Sequence, residues 1–220
     1  MKICLISDTH SYVFPIDKDT DLLLHAGDFF HEGRDSYAQF LSWNKLIKPW
    51  LQSIADNGTK IIACAGNHDH YFEENRPLIE DDFLSFGGTY IEHGYIEYKE
   101  IIIAASSYQP IFYNWAFNKD SKFLQKAYRE LPFCHILLTH CPPWGRLDIS
   151  PYGFQHAGST ELSAELNRIK PRLHAFGHIH SGYGIKLEKR VAEEQTLFVN
   201  AAVTDEKYQL SHQPIYLNWQ

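Results

Sequence analysis

Residues 60–69 read KIIACAGNHD, a short apolar run that meets a glycine and then delivers Asn67, His68 and Asp69 in succession. The run lacks the alternation of a half-exposed strand, so it reads as a strand buried on both faces. The same grammar recurs four times. Residues 2–7 (KICLIS) lead into Asp8-Thr9-His10, and residues 22–26 (LLLHA) into Gly27-Asp28. Residues 135–139 (HILLT) are followed by His140, and residues 173–176 (LHAF) by His178 and His180. Parallel sheets gather ligands beyond the carboxyl ends of their strands, where the connecting loops converge. Five buried strands ending in carboxylate, imidazole or carboxamide groups therefore predict an α/β protein with its site at those ends.

Between these runs the spacing turns helical. Tyr37, Phe40, Leu41, Ile47, Trp50, Leu51 and Ile54 give residues 35–57 an apolar face, with Pro49 expected to kink or split the segment. Residues 121–131 and 159–169 follow the same period, with Ser121 and Ser159 or Thr160 as the expected caps. Residues 88–105 are rich in β-branched and aromatic residues and predict two hairpins or a three-stranded meander. Residues 182–188, 195–201 and 214–219 also read as β. No repeat or linker interrupts the 220 residues, so residues 1–220 are expected to form a single domain.

Composition narrows the class. With 27 acidic against 20 basic residues the net charge is -7, which disfavours a grip on long nucleic acid. The opening MKICLISDTH is a poor signal peptide, and no apolar run approaches the roughly 18 residues of a membrane helix. Cys4, Cys64, Cys134 and Cys141 sit in or beside the strand-like runs, as reduced buried cysteines do. A cytoplasmic protein with no membrane attachment is the expectation.

The polar residues themselves indicate chemistry. His178 and His180 are two apart, a spacing that points both imidazoles the same way. Aspartate, histidine and asparagine together suit divalent first-row cations, whereas calcium prefers oxygen alone. Asp8, His10, Asp28, Asn67, His140, His178 and His180 are too many for one tetrahedral zinc and fit two cations with a bridging carboxylate. No cysteine is among them, which argues against a structural zinc knuckle. Two divalent ions bring about +4, while two aspartates and a metal-bound hydroxide bring about -3, leaving roughly one positive charge. That charge matches a phosphodiester monoanion. His68 is the candidate general acid, and Asp69 is expected to fix its tautomer or orientation.

These residues resemble the calcineurin-like metallophosphoesterase superfamily. The resemblance runs from Asp8 to His180 through D-x-H, G-D, G-N-H-D, an isolated H and G-H-x-H, in that order. The surrounding text (HAGDFF, AGNHDHYF, LLTHCPPWGRLD, FGHIHSGYG) is most similar to the small metallophosphoesterase-domain-containing subfamily, associated with cyclic-nucleotide phosphodiesterase activity. The resemblance implies a two-sheet β-sandwich flanked by helices on both faces. It implies one metal held by Asp8, His10, Asp28 and His180, and a second held by Asp28, Asn67, His140 and His178. Manganese is the first expectation, with iron, zinc, cobalt or nickel as alternatives. His68 matches the family's substrate-contacting acid, with Asp69 as its partner. This chain keeps His178, which some members of that subfamily lack, so both metal sites are expected to be intact.

One departure bears on the substrate. Protein phosphatases of the superfamily carry an arginine in G-D-x-x-D-R-G, where this chain reads Gly27-Asp28-Phe29-Phe30-His31-Glu32-Gly33. A monoester dianion would gain from such a clamp, so its absence favours small phosphodiesters such as cyclic nucleotides. Asn67 and His68 are expected to touch the substrate, together with Trp144 and Arg146 from the loop that follows His140. Trp144, Tyr152 and Phe154 are candidates for stacking on a base. The alternatives are a phosphoprotein or nucleotide monoesterase that uses Arg34 or Arg146, and a metal-bound scaffold without activity.

Overall fold

All five apolar runs become strands near the centres of two sheets, where each face finds cover. The computed structural model describes residues 1–31, 33–153, 155–189 and 195–220. The first strands are β1 (Lys2–Ile6), β2 (Leu22–Ala26), β3 (Lys60–Cys64) and β4 (Thr89–Tyr90). Then come β5 (His93–Tyr98), β6 (Ile101–Ser106), β7 (Gln109–Pro110) and β8 (Asn118–Lys119). The last are β9 (Ile136–Thr139), β10 (Leu173–Phe176), β11 (Gly184–Lys189), β12 (Gln195–Asn200) and β13 (Ile215–Asn218).

One sheet has the order β13-β1-β2-β3-β4, parallel except for β13. The other runs β11-β12-β10-β9-β6-β5, with a parallel centre and an antiparallel strand at each edge. Strands β7 and β8 form a small separate pair. The sheets are tied together at their site end. Ser7 N–H donates to Ala201 O at 2.9 Å, and Val203 N–H donates to Ser7 O at 3.0 Å.

Alternate residues of each strand serve different cores. Ile3, Leu5, Leu22, Leu24 and Ile62 meet Ile103, Leu138, Leu173 and Val199 between the sheets. Cys4, Ile6, Leu23 and Ile61 face outward instead, against Trp43, Leu51, Phe72, Ile79 and Phe83. Those five come from the segment comprising α1 (Ser36–Ser42), α2 (Lys48–Ala55), α3 (His70–Glu74) and α4 (Arg76–Ser85), with the π turn Trp43–Ile47 between α1 and α2. On the far side, α5 (Ser121–Glu130) and α6 (Thr160–Ile169) pack Leu124, Tyr128, Leu162 and Leu166 onto Leu137, Phe176 and Phe198. The architecture is thus two stacked sheets with helices on both outer faces, as expected.

Local expectations fare unevenly. Pro49 does interrupt its segment: the π turn ends just before it, with Lys48 N–H donating to Trp43 O, and Pro49 enters the first turn of α2. The cap of α5 is Asp120, whose side chain accepts from Phe123 N–H, and not Ser121. Ser159 caps α6 by accepting from Leu162 N–H. The two hairpins or three-stranded meander expected over 88–105 are corrected to a single hairpin, β5 with β6. Thr89 and Tyr90 pair with β3 in the other sheet, because Ile91 N–H donates to Ala63 O at 2.8 Å and its side chain enters the inter-sheet core. The four cysteines are free and buried. Among the described residues no helix is long and apolar enough to cross a membrane.

Candidate metal centre

Beyond β1, β2 and β10 the chain turns through backbone conformations that L-residues rarely adopt. Asp8 (φ 55), His10 (φ 42), Asp28 (φ 58) and His178 (φ 68) all lie in the left-handed region. Each such residue costs roughly 1 kcal/mol or more and persists where its surroundings over-determine it. Here they do. Asp8 N–H donates to Gly27 O at 2.8 Å, and His10 N–H to Asp28 O at 3.1 Å. Thr204 Oγ1 donates to Asp8 O at 2.8 Å, and His178 N–H reaches the Asp8 carboxylate at 3.0 and 3.1 Å. Two glycines make room: a Cβ on Gly66 would lie 2.6 Å from His140 Cε1, and one on Gly177 would overlap Asp8 Oδ2.

The seven sequence-derived candidates converge in two adjoining groups. In one, His180 Nε2 lies 3.2 Å from Asp8 Oδ1 and 3.4 Å from His10 Nε2. In the other, Asn67 Oδ1 lies 2.9 Å from His140 Nε2 and 2.7 Å from His178 Nδ1. Asp28 Oδ2 sits between the groups, 3.4 Å from His140 Nε2 and 3.9 Å from His10 Nε2. Donors about 2.1 Å from one cation are themselves about 3.0–3.4 Å apart, close to several of these separations.

The imidazoles are also braced as cation ligands are. His10 Nδ1 faces Phe30 O at 2.9 Å, His140 Nδ1 faces Ala26 O at 2.8 Å, and His180 Nδ1 faces Asp205 O at 2.8 Å. A backbone carbonyl only accepts, so each Nδ1 carries the proton and each Nε2 is turned towards the carboxylates. Burial alone would raise Asp28, but the imidazoles, His140 foremost, outweigh it and hold it well below the carboxylate range. Burial would likewise lower His140 and His180, yet Asp28 pushes the first up to about 9 and Asp8 the second up to about 9. Two buried carboxylates thus demand positive charge, and the residues present fit two divalent cations.

His68 stands beside this cluster and Asp69 beneath it. The Asp69 carboxylate accepts from Gly66 N–H at 2.7 Å, Phe29 N–H at 2.8 Å and Asp28 N–H at 2.9 Å. It therefore braces the Asp28 turn, where an orienting hydrogen bond to His68 was expected. His68 Nδ1 is buried and meets no hydrogen-bond partner among the described residues. His25 links the turns of Asp8 and Asp28: Gly27 N–H donates to Nδ1 at 3.1 Å, Nε2 faces Thr9 Oγ1 at 3.1 Å, and the ring stacks on Phe29.

A cavity of about 390 Å³ opens onto Asp28, Asn67, His68, His178 and His180. Trp144 and Arg146 are not among the residues that line it, whereas Cys141, Ser150, Pro151 and Ala157 of the same loop are. Arg146 is drawn to Glu188 by a two-pronged ion pair, 2.8 and 3.2 Å, and Trp144 packs on His156. Asp148 holds that loop by accepting from Gly145 N–H and Gly158 N–H, with His156 Nδ1 at 2.7 Å. Tyr152 does line the cavity, and Phe154 lies outside the described residues. Trp115 and Tyr208 also line it, unanticipated. The aromatic text PIFYNWAF at 110–117 was a usable signal for the first; nothing in the sequence marked the second.

Residues 1–182 match the family model described as calcineurin-like phosphoesterase. Over 97% of its length the chain is 34% identical to human metallophosphoesterase domain-containing protein 1, covering 69% of that protein. It is 27% identical to a UPF0046 protein of Caenorhabditis elegans, with 98% of this chain and 74% of that protein aligned. One crystal structure superposes on 100% of this chain and 99% of its own with a TM-score of 0.68. Another, TT1561 of Thermus thermophilus, covers 90% of this chain and 88% of its own at 0.53. Both are 14% identical and show the fold alone.

Proposed function

The chain belongs to the calcineurin-like phosphoesterase family, whose members are metal-dependent phosphoester hydrolases, and from that premise we propose that it cleaves a small phosphodiester such as a cyclic nucleotide. One cation is assigned to Asp8, His10, Asp28 and His180, and the other to Asp28, Asn67, His140 and His178, with manganese as the first choice. Bound there, the pair would activate water and stabilise charge on the phosphoryl oxygens.

The observation that carries the diester assignment is the charge of the cavity. Among the described residues no lysine or arginine lines it. Arg34 lies over Trp115, 5.1 Å from the ring centroid, and Arg146 is held by Glu188. Neither supplies the cationic fork that favours a monoester dianion. Asn67 and His68 face the substrate position. His68 donates a proton to the oxygen that leaves, so that an alcohol rather than an alkoxide departs. Turnover of bis(4-nitrophenyl) phosphate and 4-nitrophenyl phosphate with added manganese tests the assignment. The diester is expected to react faster by at least roughly tenfold; a faster monoester would overturn the reading.

A further inference from the structure

In the described residues His68 has no carboxylate or carbonyl to hold its ring, since Asp69 is committed to backbone N–H groups and His68 Nδ1 meets no partner. Something else must fix the imidazole, because a general acid works only when its proton is aimed at the departing oxygen. What surrounds the ring is aromatic. Trp115 stacks on its face, with centroids 4.4 Å apart and planes 28° from parallel. His10 meets it edge-on at 4.8 Å and 80°, and Tyr208 at 5.7 Å and 61°. Such offset-stacked and edge-to-face contacts have preferred geometries and so confer orientation as well as cover.

Trp115 is itself held in place. Ala116 N–H donates to Asn67 O at 3.0 Å, which locks the tryptophan loop to the turn that carries His68. Gln109 Nε2 donates to Ala116 O at 2.9 Å, and Phe117 N–H donates to Glu73 Oε1 at 2.9 Å. The Arg34 guanidinium lies over the Trp115 ring. His68, Trp115 and Arg34 thus form a chain of contacts running outward from the centre.

We propose that Trp115 is a positioning residue: its ring, fixed by the 109–118 loop and touched by Arg34, aims the His68 imidazole at the leaving oxygen. The proposal rests on the reading of His68 as the proton donor. In that step a water oxygen bonds to phosphorus as the bond to the departing oxygen breaks, and the N–H bond of His68 breaks with it. The proton goes to the departing oxygen, the bonding pair stays with it, and His68 is left neutral.

Acid assistance matters most for basic leaving groups, and that dependence separates aiming from mere packing. The experiment measures turnover of a series of aryl methyl phosphates with saturating manganese, from 2,4-dinitrophenyl to unsubstituted phenyl. Within one variant the ratio of phenyl to dinitrophenyl rates is independent of the fraction folded. Trp115→Ala is expected to lower that ratio by roughly tenfold, and Trp115→Phe, which keeps a ring, to restore most of it. His68→Ala should lower it at least as far. If Trp115→Ala slows every ester equally while His68→Ala remains selective, the positioning role falls and the phosphodiester reading stands. If His68→Ala also slows every ester equally, His68 is not the acid, and the proton-donor assignment falls with the proposal.

Discussion

Asp69 carries three backbone N–H groups on one carboxylate, and two of them belong to Asp28 and Phe29, on the turn that places the proposed bridging carboxylate. Asp69→Ala would leave three buried donors unpaired, each costing about 1–3 kcal/mol. A loss of about 3 kcal/mol or more in urea unfolding is expected, against a smaller loss for Asp69→Asn; a change below about 1 kcal/mol would refute the bracing role. The residue was legible in the sequence as part of Gly66-Asn67-His68-Asp69, but its partner was not. Neighbours in a tight turn point in different directions, so adjacency to His68 said nothing about where the carboxylate went. Trp115 had a signal in its aromatic neighbours, but its contact with His68 did not: the two lie 47 positions apart (115 less 68), and no spacing rule connects them.

At the scale of elements, legibility followed burial. The five central strands announced themselves because segments covered on both faces are mostly apolar, buried His25 and His174 being exceptions. Helix α4 offered only Ile79 and Phe83 as fully buried apolar positions amid acidic neighbours, too thin a stripe to declare a helix. The 88–105 segment misled because β-branched residues signal extended chain without saying which sheet receives it. Caps divide adjacent candidates sharply. Asp120→Ala should cost about 1 kcal/mol, as N-cap losses do, whereas Ser121→Ala should stay within about 0.5 kcal/mol. Chemical denaturation of both variants checks this; equal effects would return the cap to Ser121.

For the whole molecule, the decisive fact is that the proposed ligands come from both sheets. Asp8, His10, Asp28 and Asn67 follow β1, β2 and β3, while His140, His178 and His180 follow β9 and β10. Cations bound there would staple the sandwich across its seam. Manganese added to chelator-treated protein at about a hundredfold over its Kd should stabilise it by about 2.7 kcal/mol, read as a rise in Tm. Asp28→Asn should abolish most of that rise; an unchanged Tm in the wild type would argue against a cation at this place. The strands thus disclosed which residues meet, while the seam they bridge emerged only from the stacking of the sheets. Thr204, whose hydroxyl seals Asp8 across 196 positions, carries a temporal consequence. During synthesis Asp8 must wait for a further 196 residues before that closure is available. Contacts so distant form late, and the centre is therefore expected to assemble late in folding, after the strands that flank it have paired.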